Sequence, residues 1–386
     1  MLHVQSYLRN GGILRRLVEE KGLDCKVQDG KVLLNYSMID SPKLDPIVKE
    51  CRGLILYEDN WDVASMAFER FFNLGEGGAE DLGPDLYKCM VLEKLDGSMI
   101  SLWYDRTTKK WQCSTRGMIY ADGPVGQLST KKFSDLFWEG LRNTRRKFFT
   151  QVPKIAWHSN EDTDNLNSNY TYVFELTSLE NRIVTPYPET FVTLLTVRDN
   201  VSLRELSRVE LEHEAKRVRL PVVRICRGYN WEDLLKMQGC APTYEGYVVL
   251  RESSPSHRRV KVKNPAYLAI SKLFGKGTTE KALLELIKCG DWPEFLAYYP
   301  EYEKNVRHLQ AVFQKLCDII RRDYVDLVPL EDRKAFALEA TKRMFPSILF
   351  SMRDGRITTL EKDLMLMFPA DKLLDMMKRV EEVSLT

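Results

Sequence analysis

The chemistry this chain could perform is posed first by one lysine. Glu93-Lys94-Leu95-Asp96-Gly97-Ser98 stands between two apolar runs, MVL and MISLWY. A lysine at the mouth of a strand–turn–strand is well placed as an exposed nucleophile, with Gly97 permitting a tight turn and Asp96 orienting or neutralising the ammonium. Free lysine has a pKa near 10.4, so about one in 2,500 is neutral at pH 7. A nucleophilic lysine therefore needs neighbouring cations, a metal or desolvation to lower its pKa. The same residues also read as a plain hairpin turn, since Asp-Gly is a strong short-range hairpin signal. The companions decide between the two.

Upstream of the lysine stand Glu50-Cys51-Arg52-Gly53 and Phe68-Glu69-Arg70-Phe71-Phe72-Asn73; downstream come Ser114-Thr115-Arg116-Gly117, Phe174-Glu175, Glu245-Gly246 and Lys261-Val262-Lys263. Lys261 and Lys263 alternate by two on a strand and so project to one face. Together they can reach one phosphate and depress the pKa of Lys94. Alone, the pair also reads as a solvated edge strand. Glu175, in V-F-E-L, is an acid between apolar neighbours and needs a partner. For Glu175 and Glu245 a structural salt bridge is the competing reading.

Two textures must position these residues. From about residue 30 to 265, short β-branched and aromatic runs (KVLLNY, CRGLILY, TYVFEL, FVTLLTV, GYVVL, RVKVK) are separated by Gly, Asp and Asn, and predict a largely antiparallel mixed fold. Helices are expected at 131–150 and 202–217, and a polar surface loop at 158–169. After Pro265, Val306, Leu309, Val312, Phe313, Leu316, Ile319 and Ile320 recur at helical spacing. Further helical stretches, 331–344 and 358–381, are split by Pro346 and Pro369. The expectation is an α+β chain: a catalytic domain over 1–267 and a separate, all-helical domain over 268–386.

Composition excludes more than it identifies. The 386 residues carry 57 Lys+Arg against 55 Asp+Glu, a net charge of +2, which rules out a histone-like tail but not a local basic groove. Eight scattered cysteines never form C-x-x-C, arguing against a zinc ribbon or disulfide framework. No signal peptide or apolar span is apparent, so a reduced, cytoplasmic protein without membrane contact is expected.

Taken in order, the companions resemble the covalent nucleotidyltransferases, the superfamily of ligases and capping enzymes. K-x-D-G at Lys94 matches motif I, the Phe-Glu strand motif III, Glu-Gly motif IV and K-x-K motif V. Finer details resemble the RNA ligase 1 family typified by tailed bacteriophages: E-C-R-G-L-I at 50–55, F-F-N-L at 71–74, V-F-E-L-T-S-L-E-N-R-I-V at 173–184, L-L-T-V-R-D at 194–199 and K-V-K-N-P-A-Y at 261–267. The resemblance covers residues 50–267.

The resemblance implies an antiparallel-sheet nucleotidyltransferase domain and an ATP-dependent RNA ligase with Mg²⁺, or Mn²⁺ in its place. Lys94 would attack the α-phosphate of ATP, pass AMP to an RNA 5′-phosphate, and release it as a 3′-hydroxyl seals the strand. Lys261 and Lys263 would hold the α-phosphate, Glu175 the ribose or metal, Glu245 the metal, and Arg52, Arg70 and Arg116 the nucleotide phosphates. Arg70 and Arg116 replace lysines common in the family, which keeps charge but alters geometry. Tyr267 matches a functional tyrosine; otherwise it is core. Asp291 and Glu294 stand near a second ion site of some relatives, although they read equally as helix-terminal acids. The L-L-T-V-R-D run shows no stacking ring for adenine.

RNA contact is expected from Arg142, Arg145, Arg146 and Lys147 and from His257-Arg258-Arg259, stretches that also read as solvated faces. The helical domain would set RNA preference. The substrate expected from the resemblance is RNA with 5′-phosphate and 3′-hydroxyl ends, such as nicked tRNA, prepared by a separate end-healing kinase/phosphatase. A monomer is expected, in a host cytoplasm if the protein is phage-encoded. The competing readings are a DNA ligase or capping enzyme, which would place a β-rich module after motif V, and an RNA-binding relative without catalysis.

Overall fold

The structure is a computed structural model that describes residues 1–125, 130–148, 163, 165–237, 240–274, 279–290 and 292–384. It divides into two compact units, Met1–Lys272 and Leu273–Thr386.

Among its described residues, the first unit is built on three sheets. The N-terminal sheet has the order β1 (Leu23–Gln28), β2 (Lys31–Tyr36), β3 (Arg52–Tyr57), β4 (Val63–Ser65), all antiparallel. Short β5 (Phe72–Asn73) and β6 (Met90–Glu93) lead into β7 (Ser98–Asp105) and β8 (Lys110–Ser114). With β9 (Tyr170–Thr177) and β10 (Phe191–Asp199) these last two make the central sheet, order β10-β9-β7-β8. The third sheet runs β11 (Ile225–Cys226), β6, β12 (Gly246–Arg251), β13 (Arg258–Lys263), β5, with β5 parallel to β13.

Alternation explains how the central sheet is buried on both faces. Ile100 and Leu102 pack with Phe174 and Leu176 against α4 (Phe133–Phe148) and α5 (Arg208–Val218), while Trp103 turns to Leu33 and Ile55 of the N-terminal sheet. A fully buried ion pair, Lys31 Nζ to Asp105 Oδ2 at 3.1 Å, joins these same two sheets. The third sheet buries Val91, Tyr247, Val249 and Val262 beneath Leu234 of a short helix, Trp231–Lys236.

Helix α5 begins at Arg208, not 202. Ser207 accepts from the Glu210 amide and Glu210 answers in a capping box, so the residues before it are held extended, with Glu205 bridged to Arg198. The loop expected at 158–169 lies mostly outside the described residues, as do the last two residues of the 131–150 helix.

The second unit is helical among its described residues. Its long helix, Glu303–Leu327, buries Val306, Leu309, Val312, Phe313, Leu316 and Ile320, as the spacing predicts, with Ile319 half-buried. The stretch 331–344 is helical only over Arg333–Ala340. Pro346 opens a helix, Pro346–Arg353, because a first-turn proline needs no amide donor. The stretch 358–381 is two helices, Leu360–Met367 and Ala370–Ser384, parted at Pro369. No helix among the described residues is long and apolar enough to cross a membrane, and all eight cysteines are free thiols.

Candidate active site

Three strand ends meet at Lys94. Antiparallel register sets Gly246 opposite Lys263 and Tyr247 opposite Glu93, so the end of β6, the start of β12 and the end of β13 lie side by side. The Lys94 amide donates to the Gly246 carbonyl at 2.9 Å, fixing the lysine to the strand that follows Glu245. Its Nζ lies 2.6 Å from Glu245 Oε2, and Lys263 Nζ lies 3.4 Å from Oε1 of the same carboxylate. Glu245 is buried, whereas Lys94 keeps 21% of its side chain accessible, enough for a ligand to reach it. Gly246 is required beside Glu245: its φ is +132°, and a Cβ there would stand 2.2 Å from the Val262 carbonyl oxygen.

The lysine turn is not the hairpin that Asp-Gly suggests. β6 and β7 join different sheets, so residues 94–97 cross from one to the other. Gly97 serves close approach rather than a turn, since a Cβ there would meet the Leu176 carbonyl oxygen at 2.2 Å. Asp96 does not neutralise Lys94. It is buried, accepts from the amides of Val184 (2.8 Å) and Thr185 (2.7 Å), and takes the Tyr267 hydroxyl at 2.6 Å. Tyr267 is correspondingly buried and braces the lysine loop through Asp96.

That close approach puts Glu175 of β9 beside the lysine. Burial pushes its carboxyl up to about 8; Lys94 and Arg52 pull against this while Glu245 and Asp96 add to it. Lys261 is the cation most altered: burial, reinforced by Arg52, Lys94 and Lys263, brings it down to about 7. Its Nζ lies 4.6 Å from the Phe71 ring centre, and the Arg52 guanidinium lies 4.6 Å from that of Phe68. Burial and then Arg116 hold Arg52 below its usual range, against Tyr36 and Glu175. Arg70 is buried 4.0 Å from the Tyr36 ring centre, its Nη1 without a hydrogen-bond partner among the described residues; exposed Arg116 lies 5.4 Å from the same ring. The structure thus brings together Lys94, Glu175, Glu245, Lys261, Lys263, Arg52, Arg70 and Arg116.

Among the described residues, no three His, Cys, Asp or Glu side chains cluster as a metal cage. Glu245 and Glu175 fit an ion of the magnesium kind, which takes one or two carboxylates and completes its shell with phosphate oxygens and water. Asp291 lies outside the described residues, and of Glu294 only its place in a helix, Trp292–Tyr298, is described.

Several residues read as RNA contacts are tied up in the fold. Arg145 is buried and donates to the Val218 carbonyl at 3.1 Å; Lys147 pairs with Glu189. His257 Nε2 lies 2.9 Å from the Leu206 carbonyl, and Arg258 donates to that of Asp81 at 3.2 Å. Arg259 is buried against Glu205, which also holds Arg198 at 2.7 Å. This triad, which the sequence reading missed, accounts for the arginine of L-L-T-V-R-D. Its signal was the alternation itself, since Arg259, Lys261 and Lys263 share one face of β13.

Comparison with known proteins identifies the family. A family model described as RNA ligase, of the T4 type 1 class, matches residues 50–267. An RNA ligase of Rhodothermus phage RM378 is 26% identical over 417 residues, covering 89% of this chain and 90% of the relative. A protein of Autographa californica nuclear polyhedrosis virus, named for polynucleotide kinase and RNA ligase activities together, is 28% identical over 333 residues; they cover 82% of this chain and 44% of that protein. Among solved structures, an archaeal ATP-dependent RNA ligase aligns over 77% of this chain and 73% of its own, at 16% identity and a TM-score of 0.44.

Proposed function

This chain belongs to the RNA ligase family of the T4 type 1 class, and on that premise we propose that it seals RNA through an AMP carried on Lys94. The observation that carries the reading is the accessible Lys94 ammonium, 2.6 Å from buried Glu245 and flanked by Lys261, Lys263 and Arg52. As the neutral amine, Lys94 attacks the α-phosphorus of ATP, forming an N–P bond as the bond to pyrophosphate breaks. Glu245 Oε2, 2.6 Å away, would take the proton the ammonium gives up. An RNA 5′-phosphate oxygen then displaces the lysine, and an RNA 3′-hydroxyl finally displaces AMP.

Each displacement gathers negative charge on equatorial oxygens, which cations fixed in advance stabilise without reorganising. Lys261 and Lys263 serve the α-phosphate, and Arg52, Arg70 and Arg116 the β- and γ-phosphates. Glu245 and Glu175 would hold a divalent ion, which supplies further charge neutralisation at the phosphates. Glu175 is the group suited to the ribose hydroxyls, and Tyr267 positions the lysine loop through Asp96. Residues 1–267 then form the adenylyltransferase domain and 268–386 the part that sets RNA preference. Nicked tRNA is the substrate favoured by the family resemblance. A separate kinase/phosphatase would prepare the ends; a polynucleotide kinase is named together with RNA ligase in the nuclear polyhedrosis virus relative.

The test is incubation with α-labelled ATP and Mg²⁺, followed by a denaturing gel. Acid-labile label is expected on the protein and none on Lys94→Ala; label on the variant, or none on the native protein, ends the proposal. Offered 5′-phosphorylated single-stranded RNA and nicked duplex DNA, the protein should join the RNA. Preference for the DNA would move it to the DNA ligases.

A further inference from the structure

On the far side of the third sheet lies a recess of about 530 Å³ that the chemistry above does not use, lined by Arg224, Arg227, Tyr229, Cys240, Tyr244 and Tyr247 among others. We infer that it receives an unpaired nucleobase of the RNA strand being joined; this rests on the reading of the chain as an RNA ligase.

The walls are aromatic and the rim is basic. Ring centres of Tyr229 and Tyr244 stand 5.3 and 5.4 Å from that of Tyr247, and the Tyr247 hydroxyl donates to that of Tyr229 at 3.1 Å. The Tyr244 hydroxyl is buried against the Cys226 thiol, with which it interacts. Tyr229 and Arg227 are exposed, while Arg224 is held 3.1 Å from Glu93. Tyrosine faces and the exposed Arg227 guanidinium suit a base with its phosphate. Single-stranded RNA offers such bases unstacked, for stacking on aromatic side chains.

Position argues for RNA rather than the adenine of ATP. Tyr247 lies opposite Glu93 and Val262 in register and so shares their face of the sheet. Lys261 and Lys263 lie on the opposite face, with Arg52 acting on Lys261. A nucleotide whose phosphates follow those cations leaves the tyrosine face free. Yet the recess remains local to the chemistry, since Tyr244 precedes Glu245 and Glu93 precedes Lys94.

The experiment compares the native protein with Tyr229→Ala and Arg227→Ala, both at exposed positions, in two assays. One measures the KM for ATP in lysine labelling, the other the KM for 5′-phosphorylated single-stranded RNA in joining. Loss of a stacked base or a phosphate contact should raise the RNA KM about tenfold, with kcat changed far less. An RNA KM unchanged while labelling persists overturns the inference, and so does a rise confined to the ATP KM, which would give the recess to adenine. Absence of labelling in the native protein would instead defeat the lysine mechanism. As a second readout, RNA carrying 5-iodouridine near its joined end should crosslink to Tyr229 or Tyr244; crosslinks confined to other segments count against the recess.

Discussion

At the scale of single residues, the site is governed by which group loses its ordinary charge. Sequence spacing aligns Lys261 and Lys263 toward a phosphate, and the structure makes Lys261 the one brought to about 7 by burial and by Arg52, Lys94 and Lys263. The sign follows directly: below pH 7 Lys261 is an ammonium that attracts the α-phosphate, and above it an amine that does not. In the free enzyme the KM for ATP in lysine labelling should therefore rise as pH increases through about 7. The rise should reach about tenfold or more, the scale of one charge-assisted hydrogen bond. Lys261→Arg, which stays charged, should flatten that profile; a profile unchanged by the substitution would assign the titration elsewhere. That Lys94, Glu175 and Glu245 belong together was legible from the order of the motifs, and the structure brings the three side by side. Of the two roles the sequence offers Asp96, neutralising the lysine fails, because the fold supplies it with three other donors.

Among the elements, the position of β13 rests on a buried ionic triad. Glu205 accepts from Arg198 of β10 and from Arg259, two residues before Lys261, so it ties the central sheet to the strand that carries Lys261 and Lys263. Breaking a buried ion group by removing one member leaves uncompensated charge at a cost of about 3–5 kcal/mol. Glu205→Gln should lower the melting temperature accordingly and weaken ATP labelling, as read by thermal unfolding alongside the gel assay. The Glu205 carboxyl is depressed to about 2, chiefly by Arg259 and Arg198 acting against burial. Its stabilisation is therefore complete above the unfolded value near 4.5 and is lost as pH falls toward about 2. Acid unfolding of the Gln variant should lack this component. Strand existence was legible from β-branched runs, but sheet membership was not. The runs on either side of Lys94 read as one hairpin, yet pair with β12 and β9 in different sheets.

For the whole molecule, the near-neutral total of +2 conceals six basic side chains gathered at one site. Nucleic-acid attraction must then come from local geometry, not from a general basic surface. The division into units at Lys272 and Leu273 lies a few residues beyond the boundary expected from texture, within the helix Pro265–Phe274. If the helical unit sets RNA preference, a chain ending after Phe274 should still label with ATP but lose discrimination between nicked tRNA and a plain single-stranded oligonucleotide. Equal discrimination by the full and shortened chains would remove that role. The sequence by itself determined the family, the reaction class and the order of the motifs, and singled out the lysine proposed as nucleophile, because such motifs are particular side chains at positions local to each strand. Only the tertiary structure decided which charges meet. Ion pairs, burial and the shifts they cause depend on distances between strands far apart in the chain, and so Glu245 rather than Asp96 holds Lys94, Arg259 serves the fold, and a tyrosine recess stands behind the lysine.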